Sequence, residues 1–199
     1  SGAATGIPAV MPEVLSHFVE MPAPTRKDMD MGLLETTLSG RSVCAHTDKS
    51  VSEGDLDKII AAGMLAPSGK GIRPWHFIVV TDPARIKALI GCRKGGPKML
   101  ETATAVIAVL GDTTKSDACI EDSSVVLGQM RLVASSRAWQ LLAAGEVPSF
   151  HGGKFLRQRL GFPDKMELEA MLVLGHPAQK PAAHTLEELP QGRVHREQW

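Results

Sequence analysis

A chain of 199 residues, 43% hydrophobic and 22% charged, is long enough to bury a core as one domain. Its 22 Lys and Arg offset its 22 Asp and Glu, which leaves no basic surplus to recruit nucleic acid or an anionic membrane. No apolar run approaches the ~20 residues that cross a bilayer, and without tyrosine there is no Tyr general acid.

In chain order, residues 1–28 are rich in Ala, Pro, Met and Gly and read as an N-terminal arm, with no signal-peptide pattern. Residues 29–199 form one domain that ends in a C-terminal extension. A helix is expected over Asp30–Leu38, ending near Gly40. Ser52 and Asp55 have the spacing of a capping box, and Leu56, Ile59, Ile60, Gly63 and Met64 then recur at helical intervals until Pro67. Trp75–Thr81 is a β-branched and aromatic strand, Ile86–Ile90 a short helix, and Ala105–Leu110 a continuous apolar strand of the buried kind. A long helix over Glu121–Ser136 would present Val125, Val126, Met130 and Val133 on one face. Lys154–Leu160 is a further helix with Gly161 to end it, and Ala170–Leu174 a third strand stopped by Gly175 and Pro177. Alternating helices and strands give an α+β or α/β layer fold.

Cys44, Cys92 and Cys119 lie far apart without a C-x-x-C pair, so neither a zinc site nor a disulfide framework is expected, and the cytoplasm is the simplest location. The seven histidines show no metal-ligand spacing, and no G-x-S-x-G elbow supports a hydrolase. Gly69-Lys70 invites a phosphate-loop reading, which fails: five residues separate Gly63 from Gly69, Gly71 stands where a hydroxyl is needed, and the loop runs from helix to strand.

Three features occur together: Arg41-Ser42-Val43 after the first helix, Pro67-Ser68-Gly69-x-Gly71-x-Arg73-Pro74-Trp75 before a strand, and Leu174-Gly175-His176-Pro177 ending a late strand. With Glu121-Asp122-Ser123-Ser124 and Gly153-Lys154-Phe155-Leu156, they make the chain resemble the nitroreductase family of flavin mononucleotide (FMN) enzymes from about Met29 to Glu188. Small residues at Ser68, Gly69 and Gly71 suit the close approach of backbone to a flat ring. A planar guanidinium at Arg41 suits phosphate.

The resemblance implies an α+β three-layer α/β/α sandwich with a central mixed, mainly antiparallel sheet. It also implies a homodimer with FMN at the interface and a ping-pong transfer of electrons from NAD(P)H to a nitroaromatic, quinone or flavin acceptor. Cofactor-binding positions carried over on this basis are Arg41, Ser42, Cys44, Pro67, Ser68, Gly69, Lys70, Gly71, Arg73, Gln129, Gly175, Lys180 and His184. Gly40, Cys44 and Ala183 stand where relatives are usually basic, and Lys70, Arg73, Lys180 and His184 are the candidates to compensate. Lys70 and Arg73 are also the candidate cations beside the reduced ring. The usual G-[LI]-G-x-x-W segment is replaced by Ser135-Ser136-Arg137-Ala138-Trp139-Gln140, so Trp139 is expected either as a lid over the substrate pocket or as a continuation of the central helix. Cys44 reads more simply as a small filler than as a redox thiol. The alternatives are a dehalogenating or flavin-cleaving enzyme of the same fold, or a non-catalytic module with weakened FMN binding.

Overall fold

The computed structural model describes residues 26–92, 97–135, 138–143, 152–179 and 181–199, with backbone alone for 26–31, 138–143 and 152. Helix α1 runs Arg26–Ser39, starting four residues before the expected Asp30. Helix α2, Glu53–Met64, begins as the capping box requires: the Ser52 side chain accepts the Asp55 N–H, and its hydroxyl donates to the Asp55 carboxylate at 2.7 Å. Strand β1 is Trp75–Val80. Helix α3, Pro83–Ala88, lies earlier than its apolar residues suggest, because Asp82 caps it and Pro83 fits the first turn. Strand β2, Ala105–Asp112, precedes the central helix α4, Cys119–Ala134. Strand β3 (Ala138–Ala143), helix α5 (Gly152–Leu160) and strand β4 (Met166–Gly175) complete the order.

The strands form a four-stranded sheet in the order β1-β2-β4-β3. All three pairings are antiparallel, so the sheet has no parallel pair among the described residues. Every residue of β2 is buried, as its unbroken apolar run predicts for a central strand covered on both faces. Ala105, Ile107 and Val109 face a layer made by α2 and α4, with Ile59, Val126 and Met130. Val106, Ala108 and Leu110 face α3 and α5, with Ile86, Leu89 and Leu156. The register shifts between Val109 and Leu110, so Leu110 pairs with Leu168 and Glu169 is the extra residue. A bulge of that kind reverses the alternation of β4. Leu168 therefore joins the α3/α5 face although Ala170, Leu172 and Leu174 lie on the other.

Two expectations are corrected. Val125, Val126, Met130 and Val133 do not share one face: Val126 and Met130 are fully buried inside the chain, while Val125 and Val133 are each 44% exposed. Residues 138–143 neither continue the central helix nor form a free lid, since their backbone pairs with β4 from Ala138↔Gly175 to Ala143↔Ala170. The run AWQLLA follows α4 after a short break and completes a sheet edge, where ladder hydrogen bonds outweigh helical continuation.

Candidate functional site

Two segments distant in sequence form an antiparallel clasp beyond the C-terminal end of β4. Thr47 N–H donates to His176 O at 2.8 Å, Ala178 N–H to Ala45 O at 3.0 Å, and His184 N–H to Leu38 O at 2.8 Å. His46 bridges Pro177 between them. The clasp carries Arg41, whose Nη1 donates to Ala182 O at 3.0 Å and lies 3.4 Å from His184 Nδ1. Glu188 Oε2 is 2.6 Å from that same Nδ1. A carboxylate only accepts, so the proton belongs on Nδ1, and Arg41 and His184 are neighbouring donors rather than partners. The His184 hydrogen bond, then the charges of His184 and Arg41, hold the Glu188 carboxyl below the usual carboxylate range. The expected cationic residues Arg41 and His184 thus meet, with Ser42 and Cys44 exposed alongside. Lys180 lies outside the described residues.

The clasp is keyed by a histidine that sequence reading passed over. His46 is buried, and a Cβ added at Gly175 would stand 2.6 Å from its Cγ. Gly175 is required by this close approach, whatever else it touches. The His46 N–H donates to Thr102 Oγ1 at 3.0 Å, while its Nε2 is buried with no partner among the described residues.

The Pro67–Arg73 loop sits at the other end of the sheet, before Trp75, which pairs with Gly111. Gly111 lies six positions along β2 from Ala105, which pairs with Leu174 beside the clasp. At ~3.4 Å per residue, the two halves of the expected site are roughly 20 Å apart within one chain. Gly69–Gly71 make a tight 3-10 turn, closed by Gly71 N–H to Ser68 O at 3.0 Å. The backbone is left-handed at Lys70 (φ 53°), Gly71 (φ 70°) and Arg73 (φ 51°). For non-glycine residues that conformation costs roughly 1–2 kcal/mol each, so other bonds must hold it. Ser68 Oγ accepts the Arg73 N–H at 2.9 Å, and the Asp122 carboxylate accepts the Gly69 N–H at 2.8 Å. Asp122 is buried at the start of α4.

Gln129 lies seven residues after Asp122, about two helical turns along the same stripe of α4. Its Oε1 is buried and has no hydrogen-bond partner among the described residues. Trp75 and Phe77 pack in the core against α2 and α4, as expected of them. Asp112, at the loop end of β2, accepts from the Thr114 hydroxyl and from Lys165, which together hold its carboxyl at about 2. Its N–H anchors Pro74 O at 2.9 Å. The Trp139 backbone stands opposite Leu174, at the clasp end of the sheet.

Asp122 and Glu188 were missed as site residues because their partners, a remote backbone amide and a local side chain, are revealed by no motif. Asp122 reads as an ordinary acidic helix start, and Gly69 lies 53 positions away. The His184–Glu188 spacing of four residues was the one available signal.

Comparison with known proteins gives the same pattern of segments a family. The profile of the Nitroreductase family matches residues 40–94, which include Arg41 and the whole Pro67–Arg73 loop. A protein of Archaeoglobus fulgidus with the provisional name NADH dehydrogenase/NAD(P)H nitroreductase is 31% identical over 171 residues, covering 83% of this chain and 98% of its own. The solved structure of an FMN-dependent nitroreductase from Clostridium difficile R20291 superposes with a TM-score of 0.79 at 28% identity, covering 83% of this chain and 99% of its own. A solved structure from Parabacteroides distasonis, with the same provisional name, has a TM-score of 0.78 at 30% identity, covering 85% of this chain and 100% of its own. The chain belongs to the nitroreductase family and is by that membership an oxidoreductase.

Proposed function

We propose that the protein is an FMN-dependent oxidoreductase that takes electrons from NAD(P)H and delivers them to a small aromatic acceptor in a ping-pong cycle. The names carried by its relatives support the nicotinamide donor and the flavin. The observation that carries the reading is the meeting of Arg41 and His184, 143 residues apart, on one clasp. Two donors side by side suit a phosphate, and a guanidinium carries further N–H donors beyond the one bonded to Ala182.

The residues fit the cofactor on a second count. Gln129 Oε1 is an acceptor buried without a donor among the described residues, which a ring N–H of a flavin would supply. The flavin, when bound, supplies the redox chemistry. The chain's own residues bind and orient it. Arg41 and His184 hold the phosphate, with Ser42 and Cys44 beside them. Pro67–Arg73 would flank the ring, and the charges of Lys70 and Arg73 would stabilise added electron density there.

The separation of clasp and loop within one chain favours a homodimer, in which the clasp of one protomer meets the loop of its partner. The exposed Val125 and Val133 on α4, and Leu33 and Leu34 on α1, offer apolar surface for that contact. The spacing of the cysteines suits the cytoplasm. Purification followed by an absorbance spectrum and mass identification of the copurifying small molecule tests the reading, with FMN and NAD(P)H-driven quinone reduction expected. A protein that neither retains nor rebinds FMN is the result that ends it.

A further inference from the structure

We propose that Asp122 is the positioning residue of the flavin-facing loop: its buried carboxylate fixes the Gly69 amide and, through it, the left-handed backbone from Lys70 to Arg73. The inference rests on the flavin reading above. Three observations carry it. Asp122 is 6% exposed, in the first turn of α4, where the helix N-terminus favours a negative charge. Its Oδ1 takes the Gly69 N–H at 2.8 Å, whereas Oδ2 receives a long contact of 3.5 Å from Ser116 Oγ. The loop it holds has left-handed backbone at three of four consecutive residues, two of them not glycine.

Such a loop needs restraint at both ends. Ser68 Oγ closes the later end on Arg73 N–H, and Asp122 closes the earlier one on Gly69 N–H. The turn's own bonds, Gly71 N–H to Ser68 O and Ile72 N–H to Gly69 O, fix its curl. They do not fix its attachment to the body of the protein. Asp122 supplies that attachment from the helix that also carries Gln129. Loop and Gln129 are therefore presented to one ligand from a common rigid element. The carboxylate acts through the loop, by its bond to the Gly69 N–H.

The test compares Asp122→Asn, which keeps an oxygen for Gly69, with Asp122→Leu, which removes it at similar size. Riboflavin and FMN affinities are read by flavin fluorescence. Asp122→Leu is expected to weaken both flavins about ten-fold or more and leave their ratio unchanged, with Asp122→Asn within about three-fold of the parent. Equal losses in the two variants, or parent-like binding by Asp122→Leu, overturns the proposal. Where Asp122→Leu does not fold, amide exchange in the parent decides: Gly69 is expected to be protected relative to Lys70, and equally fast exchange overturns the role. A parent that binds neither flavin overturns the flavin reading itself. A parent that binds both, with Asp122→Leu unaffected, sinks the inference alone.

Discussion

Arg41 Nη1 lies 3.4 Å from His184 Nδ1, although the two residues are 143 positions apart. Two donors at this distance do not bond, and the Glu188 carboxylate 2.6 Å from the same nitrogen accepts from His184 and offsets the Arg41 charge. The pair is partly exposed, so its contribution to folding is small, and its value lies in what anion it can accept.

Removing Arg41 should therefore separate the two flavins. Arg41→Ala is expected to weaken FMN about ten-fold while moving riboflavin less than about three-fold, since a charge-assisted bond contributes ~1.5–3 kcal/mol. His184→Ala should act in the same direction with a smaller effect. Fluorescence titration with both flavins measures this, and equal weakening of the two would remove the phosphate from the clasp.

The clasp also makes a packing prediction. Gly175→Ala would place a Cβ 2.6 Å from His46 Cγ and 2.7 Å from its Cβ. The His46 backbone cannot retreat easily, because its N–H is bonded to Thr102 Oγ1. Overpacking of this kind costs about 1–3 kcal/mol. A Cβ added at Gly54 in α2 meets nothing within 4 Å, so Gly54→Ala serves as the control. Thermal unfolding should fall clearly for the first variant and stay level or rise for the second.

The sequence made the layers legible because apolar period and turn chemistry act locally. The all-apolar β2, the Ser52 cap and Gly161, with φ at 75°, stand where local rules place them. Three features resisted. Val125 and Val126 are adjacent and both apolar, but only the packing of α2 on α4 decides that Val126 is buried and Val125 is not. Strand β3 is set by the ladder to β4, whose residues lie some thirty positions later. Glu169 reverses the faces of β4 through a register shift that no side-chain pattern announces. The site was legible as two motifs, while the residues that fix them, His46 and Asp122, were hidden by the distance to Gly175 and Gly69.

Burial gives the fold a dependence on pH. It lowers the His46 imidazole from its ordinary 6.5. His76 shifts the same way, through burial first and then the charge of Lys115. A histidine whose folded value is depressed contributes stability that is present above its unfolded value and lost as pH falls through the folded one. Asp112 does not act in that window, since its partners hold it at about 2. Thermal unfolding of the parent should therefore drop between about pH 7 and about pH 5, and the drop should shrink in His46→Gln. An unchanged slope in that variant would assign the dependence elsewhere.

Helix α4 leaves part of its surface open. Val126, Met130 and Ala134 point into the chain, and Val125, Gly128 and Val133 point out. Val125 and Val133 are each 44% exposed, and a Cβ added at Gly128 meets nothing within 4 Å. An outward strip of two valines and a glycine is a poor water-facing surface and a good close-approach surface for a second helix. Val125→Lys with Val133→Lys should therefore split a dimer without harming the fold, since exposed substitutions usually change stability by no more than ~0.5 kcal/mol. Light scattering measures the mass and circular dichroism the fold. If clasp and loop meet only across protomers, the same double variant should also lose FMN, although it alters no residue of either half. A parent protein that is monomeric at micromolar concentration, or a monomeric double variant that still binds FMN like the parent, would show that each chain builds its site alone.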